Sequence, residues 1–249
     1  MKEHSPFQGN NSMVLVPLAL VLLIWSVYWM EVANGLNFNH LGIAPRSFLG
    51  LRGLVLSPFI HGSLRHLYNN TIPLAVLTAM LFYFYRNSAW TVILWGLFLS
   101  GLVTWAIGRD SYHIGASGLI YVLASFIFFK GIFTKYYRLV ALSLIVVFLY
   151  GSLLWYIFPV KEGMSWEGHL GGFLAGIFLA MVIKHTGFSR TSYTWEQDDF
   201  DADEDPFLKH FDADGNFVPS KELEEPDSTT EVHIKYIYKK ENTKKPQGD

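Results

Sequence analysis

The 249-residue chain has no cysteine. That excludes disulfide staples, thiolate metal sites and a cysteine nucleophile, and it carries no information about compartment. Charge is also scarce. Only 16% of residues are Asp, Glu, Lys or Arg, 51% are hydrophobic, and the mean hydropathy is +0.26. Soluble domains carry roughly a quarter charged residues, so a membrane protein is the leading class. The charge present is divided unevenly: residues 1–190 hold 12 basic and 5 acidic residues, residues 191–249 hold 7 and 16. The two parts are built for different solvents, and no nucleic-acid partner is expected.

What the chain does have is apolar runs. Six can be read, at 13–30, about 67–85, 88–108, 114–129, 139–160 and from His169 to near Ile183. A crossing needs ~20 apolar residues. The first, third and fifth runs reach that length; the others are shorter and carry polar residues at their N-terminal ends. Lys2 and Glu3 precede the first run and no small-x-small cleavage site follows it, so it reads as a retained helix and not a signal. The expected fold is an all-α membrane protein: a cytoplasmic segment 1–12, a six-transmembrane-helix bundle over 13–187, and a polar, acidic, largely disordered tail over 188–249. Loop charges of seven basic residues against five predict both termini on the cytoplasmic side of a bacterial inner membrane.

Three smaller readings complete the survey. The first loop, Glu31 to Arg65, is too apolar to be solvated, and is expected to pack on the bundle with a short helix around Arg46–Leu56. Residues 232–238 alternate well enough for a short strand. Asp212, Asp214 and Asn216 resemble the opening of a calcium loop, but Phe217 and Leu223 stand where Gly and Glu are required, so a solvated turn is expected.

In a hairpin-connected bundle alternate helices run in opposite directions. The N-terminal ends of the second, fourth and sixth spans therefore share one membrane face. His66 and Asn70 open the second span, Ser117 the fourth and His169 the sixth. Polar groups there are costly unless they face protein or a wet cavity. With Lys130 at the cytoplasmic interface, Ser117 falls on the order of 10 Å below the opposite surface. The irregular backbone over 108–115 then has to line a cavity.

A serine at such a place needs a base to become nucleophilic, and His169 is the candidate. An oxyanion intermediate needs donors; the Ser117 amide and the Asn70 and His66 side chains are available. No carboxylate is well placed to orient His169: Glu167 is adjacent but points elsewhere, and Asp110 lies in the third loop. A dyad is therefore expected, with Tyr121, one turn after Ser117, packing against the imidazole. Gly118, Gly172 and Gly176 would let the fourth and sixth spans approach closely. His61 and His66 are five apart, which is wrong for a metal pair on one helix face. His40, His113 and His185 are expected at the interface, with His113 able to reach the cavity.

Three motifs, His61-Gly-Ser-Leu-Arg-His66-Leu-Tyr-Asn-Asn70, Gly115-Ala-Ser117-Gly118 and His169-Leu-Gly-Gly172-Phe-Leu-Ala-Gly176, resemble those of the rhomboid family of intramembrane serine proteases. The resemblance covers roughly residues 13–187. It implies Ser117 as nucleophile, His169 as general base, and His66, Asn70 and the Ser117 amide as the oxyanion site. Tyr121 would stack on His169, and His61 would hydrogen-bond near the first loop. It implies neither metal nor cofactor, and substrates that are single-pass transmembrane proteins cut near or within their helices. Gly168 stands where alanine is usual. The Trp-Arg pair of some members is not evident in the first loop, where Leu51 precedes Arg52. A non-catalytic, client-binding relative and a small transporter using His66 and His169 as a proton relay are the alternatives. The tail's partner is not specified by these motifs.

Overall fold

The computed structural model describes residues 11–184 and 200–219. Seven α-helices occur among them: α1 (Ser12–Asn34), α2 (Gly53–Leu56), α3 (Leu64–Phe84), α4 (Ala89–Ile107), α5 (Ser117–Thr134), α6 (Tyr137–Tyr150) and α7 (Trp166–Val182). Among the described residues there is no strand, only isolated bridges. Five segments are long and apolar enough to cross a bilayer: Ser12–Asn34, Leu64–Phe84, Arg86–Ile107, Ser117–Thr134 and Tyr137–Ile157. Helix α7, with 17 residues, falls short of that length.

Capping chemistry sets the boundaries. Ser63, in extended conformation, accepts the His66 N–H and starts α3 three residues before the apolar run at Leu67. Ser165 does the same for Gly168, so α7 begins at Trp166 and His169 lies in its first turn rather than at its edge. A side-chain cap of this kind contributes about 1 kcal/mol. Gly35 ends α1 in the left-handed conformation, φ 62°, with its N–H on the Glu31 carbonyl. The fourth helix starts at Ser117 instead of Ile114, because the preceding residues pair with the first loop. The fifth span is two pieces: α6 stops at Tyr150 and a tighter 3₁₀ turn runs over Gly151–Ile157.

Burial separates centre from periphery. Ten of the 18 residues of α5 are buried, against three of 23 in α1 and four of 14 in α6. Helix α5 is thus the central post, and the outward faces of α1 and α6 (Val14, Leu18, Leu144 and Phe148 among them) are exposed apolar surface of the kind a bilayer covers. Helix α7 packs closely on α5 at Gly172 and Gly176. A methyl group on Gly172 would collide with the Gly118 carbonyl and lie 2.8 Å from Tyr121 Cβ; one on Gly176 would strike the Ser125 hydroxyl. At its far end α5 holds α7 again, through the buried Lys130. Its Nζ donates to the Ala180 carbonyl at 3.0 Å and to that of Ile183, two of the carbonyls that a helix C-terminus leaves unpaired.

The first loop is packed as expected, and its helical part runs over Leu49–Phe59 instead of Arg46–Leu56. It is anchored by Arg46. That residue takes a left-handed backbone, φ 55°, its N–H donates to the Trp105 carbonyl at 3.0 Å, and its guanidinium donates to the Gly108 carbonyl at 2.7 Å. Trp105 Nε1 returns a bond to the Ser47 carbonyl at 2.8 Å. A tryptophan and an arginine do anchor the loop, but the tryptophan comes from α4.

Residues 1–190 and 191–249 form separate units. In the second, Asp212 closes a turn: its Oδ1 accepts the N–H groups of Asp214 and Asn216. The aspartate is satisfied by its own loop, the solvated turn read from the sequence, and no group of three metal-ligating side chains occurs among the described residues. The expected strand at 232–238 and His185 lie outside the described residues.

Candidate active site

Ser117 is the first residue of α5, and no side chain caps that helix. The backbone leading to it is held from three sides. Ile43 and His113 exchange both backbone hydrogen bonds, at 3.0 and 2.9 Å, and the Gly115 N–H donates to the Ser57 carbonyl at 2.8 Å. Gly115 itself has φ +108°, where only glycine rests without strain. Its missing side chain is filled by others: a methyl group there would sit 2.6 Å from His66 Nε2 and 3.6 Å from Asn70 Nδ2. The first turns of α3 thus deliver an imidazole and an amide to the backbone just before Ser117. The Asn70 amide nitrogen is buried and has no hydrogen-bond partner among the described residues, a donor left free at the cost of its own desolvation.

His169 is 6% exposed. The Tyr121 ring stacks on it, centroids 4.4 Å apart and 12° from parallel. The Tyr121 hydroxyl is fixed in turn by the Leu153 carbonyl at 2.7 Å. His169 Nδ1 lies 2.9 Å from the Tyr156 carbonyl oxygen. A carbonyl can only accept, so Nδ1 carries the proton and Nε2 keeps the lone pair. Glu167 turns away, toward Arg109, and the group orienting the imidazole is a main-chain carbonyl from the 3₁₀ turn. Among the described residues no hydrogen bond joins Ser117 to His169; such bonds often tighten only when substrate binds.

Ser117 opens on a cavity of about 40 Å³, enough for a few waters. Its lining includes Ser57, Ser100, Thr104, His113, Ser165 and Gly168, hydroxyl-rich for a site inside an apolar bundle. His113 reaches this cavity, as its place in the third loop allowed, and is buried there at 4% exposure instead of lying at the interface. Burial lowers its pKa, opposed by the Arg109 carbonyl and Glu167. His61 is buried as well, its Nδ1 3.4 Å from the Phe59 carbonyl and its ring edge-on to His66 at 5.0 Å. It precedes α3, so it shares no helix face with His66. Burial, reinforced by the nearby His66, pulls the His61 pKa down to about 4.

Sequence reasoning placed Ser117, His169, Tyr121, His66, Asn70, Gly115, Gly118, Gly172 and Gly176 among the candidates. It missed the parts played by Ser165, Arg109 and Lys130. Only Ser165 left a local signal, a serine just before an apolar helical run.

A model of the Rhomboid domain matches residues 50–186, more than half the chain. Similar proteins include uncharacterized proteins of Mycobacterium bovis and Mycobacterium tuberculosis. Each is 36% identical over 177 residues, covering 67% of this chain and 73% of its own length. An uncharacterized protein of Mycobacterium leprae is 33% identical over the same length, covering 67% and 69%.

Proposed function

The chain belongs to the rhomboid family and is a multi-pass integral membrane protein, and from that premise we propose that it is an intramembrane serine endopeptidase. Its substrates are single-pass transmembrane proteins cut near or within the helix. The observation that carries this reading is the state of His169: stacked on Tyr121, its Nδ1 tied to the Tyr156 carbonyl, its Nε2 free, on a helix in backbone contact with the one that Ser117 starts.

The chemistry follows from that arrangement. His169 Nε2 takes the Ser117 proton as Oγ attacks the substrate carbonyl carbon. The carbonyl oxygen becomes an anion, received by the Ser117 N–H, the unpaired Asn70 amide and His66, with the N-terminus of α5 adding its dipole. The imidazolium gives its proton to the leaving amide nitrogen, and the Tyr156 carbonyl and the Tyr121 ring hold it while charged. An acyl-enzyme remains on Ser117. Water from the cavity attacks it with His169 again as base, releasing the second product. No residue of this scheme calls for a metal or cofactor.

Helix α7 counts as the sixth crossing. Its 17 residues span about 26 Å, somewhat less than the ~30 Å core, as suits a helix that begins inside a wet chamber. The loop charges favour cytoplasmic termini in a bacterial inner membrane. Ser117→Ala should abolish cleavage of a model single-pass substrate in a protein that still folds, and a fluorophosphonate should label Ser117 in the wild type and not in His169→Ala. Cleavage by the alanine variant would refute the nucleophile. A folded wild type that neither cleaves nor labels would favour the non-catalytic, client-binding alternative.

A further inference from the structure

The proposed reaction makes no use of a closed ring of hydrogen bonds beside it. The Arg109 N–H donates to Glu167 Oε1 at 3.1 Å. The Arg109 guanidinium lies 3.6 Å from the same oxygen and donates to the Met164 carbonyl. The residue after Glu167 is Gly168, whose N–H donates to Ser165 Oγ at 3.3 Å. Ser165 Oγ is 2.6 Å from His113 Nδ1, and His113 Nε2 is 3.2 Å from the Arg109 carbonyl. That carbonyl is an acceptor, so Nε2 bears the proton and Nδ1 accepts from the Ser165 hydroxyl. The Arg109 amide, the Gly168 amide, the Ser165 hydroxyl and His113 Nε2 each donate once, and the path returns to Arg109.

The ring joins two stretches of chain. Residues 109–113 lead through three residues to Ser117; residues 164–168 lead directly to His169. Glu167 and His113 are 1% and 4% exposed, so water competes little at the Arg109 amide and around the His113 ring, and those bond directions are enforced; the Arg109 guanidinium, on a side chain 43% exposed, is wetter. The glycine contacts of α5 and α7 fix the separation of the two helices, and nearest the site they end at Gly118, where a methyl group would lie 3.6 Å from the Gly168 carbonyl. The ring ties the same turn of α7 to the residues before Ser117 by directed hydrogen bonds.

We infer that this ring, with Glu167 as its key positioning residue, sets the height of His169 against Ser117. The inference rests on the reading of those two residues as nucleophile and base. Glu167→Ala cuts the ring at the Arg109 amide. Glu167→Gln keeps an acceptor oxygen there, removes the charge and puts an NH2 in place of the second oxygen.

The test uses the full chain in detergent and measures kcat and KM on a model single-pass substrate, the rate of Ser117 labelling by a fluorophosphonate, and the thermal midpoint. A misplacement of ~1 Å costs on the order of 100-fold. Glu167→Ala should therefore lose kcat and labelling rate together by roughly that factor with KM within about twofold; Glu167→Gln should recover most of both. A merely structural role would lower the midpoint and leave kcat intact well below it. If Glu167→Ala does not fold, Ser165→Ala opens the ring by one hydroxyl and should lower kcat about tenfold at unchanged KM. A folded Glu167→Ala or Ser165→Ala with wild-type kcat and labelling overturns the inference, as does a Glu167→Gln as slow as the alanine variant. Those results leave the protease reading standing. A wild type that neither labels nor cleaves defeats both.

Discussion

The Tyr121 ring lies flat against the His169 imidazole, 4.4 Å away, and its own hydroxyl is pinned to the Leu153 carbonyl. The imidazole proposed as the base is held by a surface on one side and by the Tyr156 carbonyl at Nδ1, where a Ser-His-Asp hydrolase uses a carboxylate. Tyr121→Ala should lower kcat for a model substrate about tenfold, the upper end of what an aromatic stack contributes. Tyr121→Phe keeps the ring and should stay within about threefold of wild type. Steady-state cleavage by the two variants separates the stack from the hydroxyl.

Close backbone packing predicts where small additions do most damage. Gly172→Ala and Gly176→Ala push a methyl group into the Gly118 carbonyl and the Ser125 hydroxyl. Each should destabilise by about 1–3 kcal/mol. Gly151→Ala adds a methyl at ordinary contact distance, 3.5 Å from Val147, and should be close to neutral. Thermal midpoints in detergent report the difference.

Lys130 is a buried cation whose partners are the end carbonyls of α7. Lys130→Met removes the donors and leaves those carbonyls unpaired, at a cost of about 1.5–3 kcal/mol. The loss should appear as a lower thermal midpoint and as faster amide exchange in the last turn of α7, with the opposite end of that helix little changed. Uniform exchange along α7 would count against the clamp.

Acid should destabilise the fold through His61. Its folded pKa of about 4 lies below the unfolded value, ~6.5, so between those limits the unfolded chain binds more protons and stability falls as pH falls. The contribution is complete above ~6.5, declines by at most roughly 1.4 kcal/mol per unit on the way down, and levels off near the folded pKa. The difference in thermal midpoint between wild type and His61→Asn should shrink across that window. A constant difference would show that His61 does not titrate there.

Much of the architecture was legible because lipid imposes it. Apolar length marked the spans, and the cost of polar groups in hydrocarbon singled out His66, Asn70, Ser117 and His169, whose first turns the structure brings toward one place. Boundaries shifted where a cap governed them, as at Ser63 and Ser165. Partnerships across long stretches were not legible. Arg109 and Glu167 are 58 residues apart, and neither position has a periodicity that names the other. Lys130 was read as a marker of the interface because an ammonium ordinarily seeks water; here unpaired carbonyls at a helix end substitute for it. The loop's tryptophan was sought beside its arginine, whereas Trp105 arrives from a different helix.

The main chains of α5 and α7 touch at Gly118, Gly172 and Gly176. At those glycines the two helices meet main chain to main chain, and rearranging side chains does little to part them there. The pair must travel as one rigid spar. An extended polypeptide entering from the lipid would have to displace something else, among the elements held only by side-chain packing.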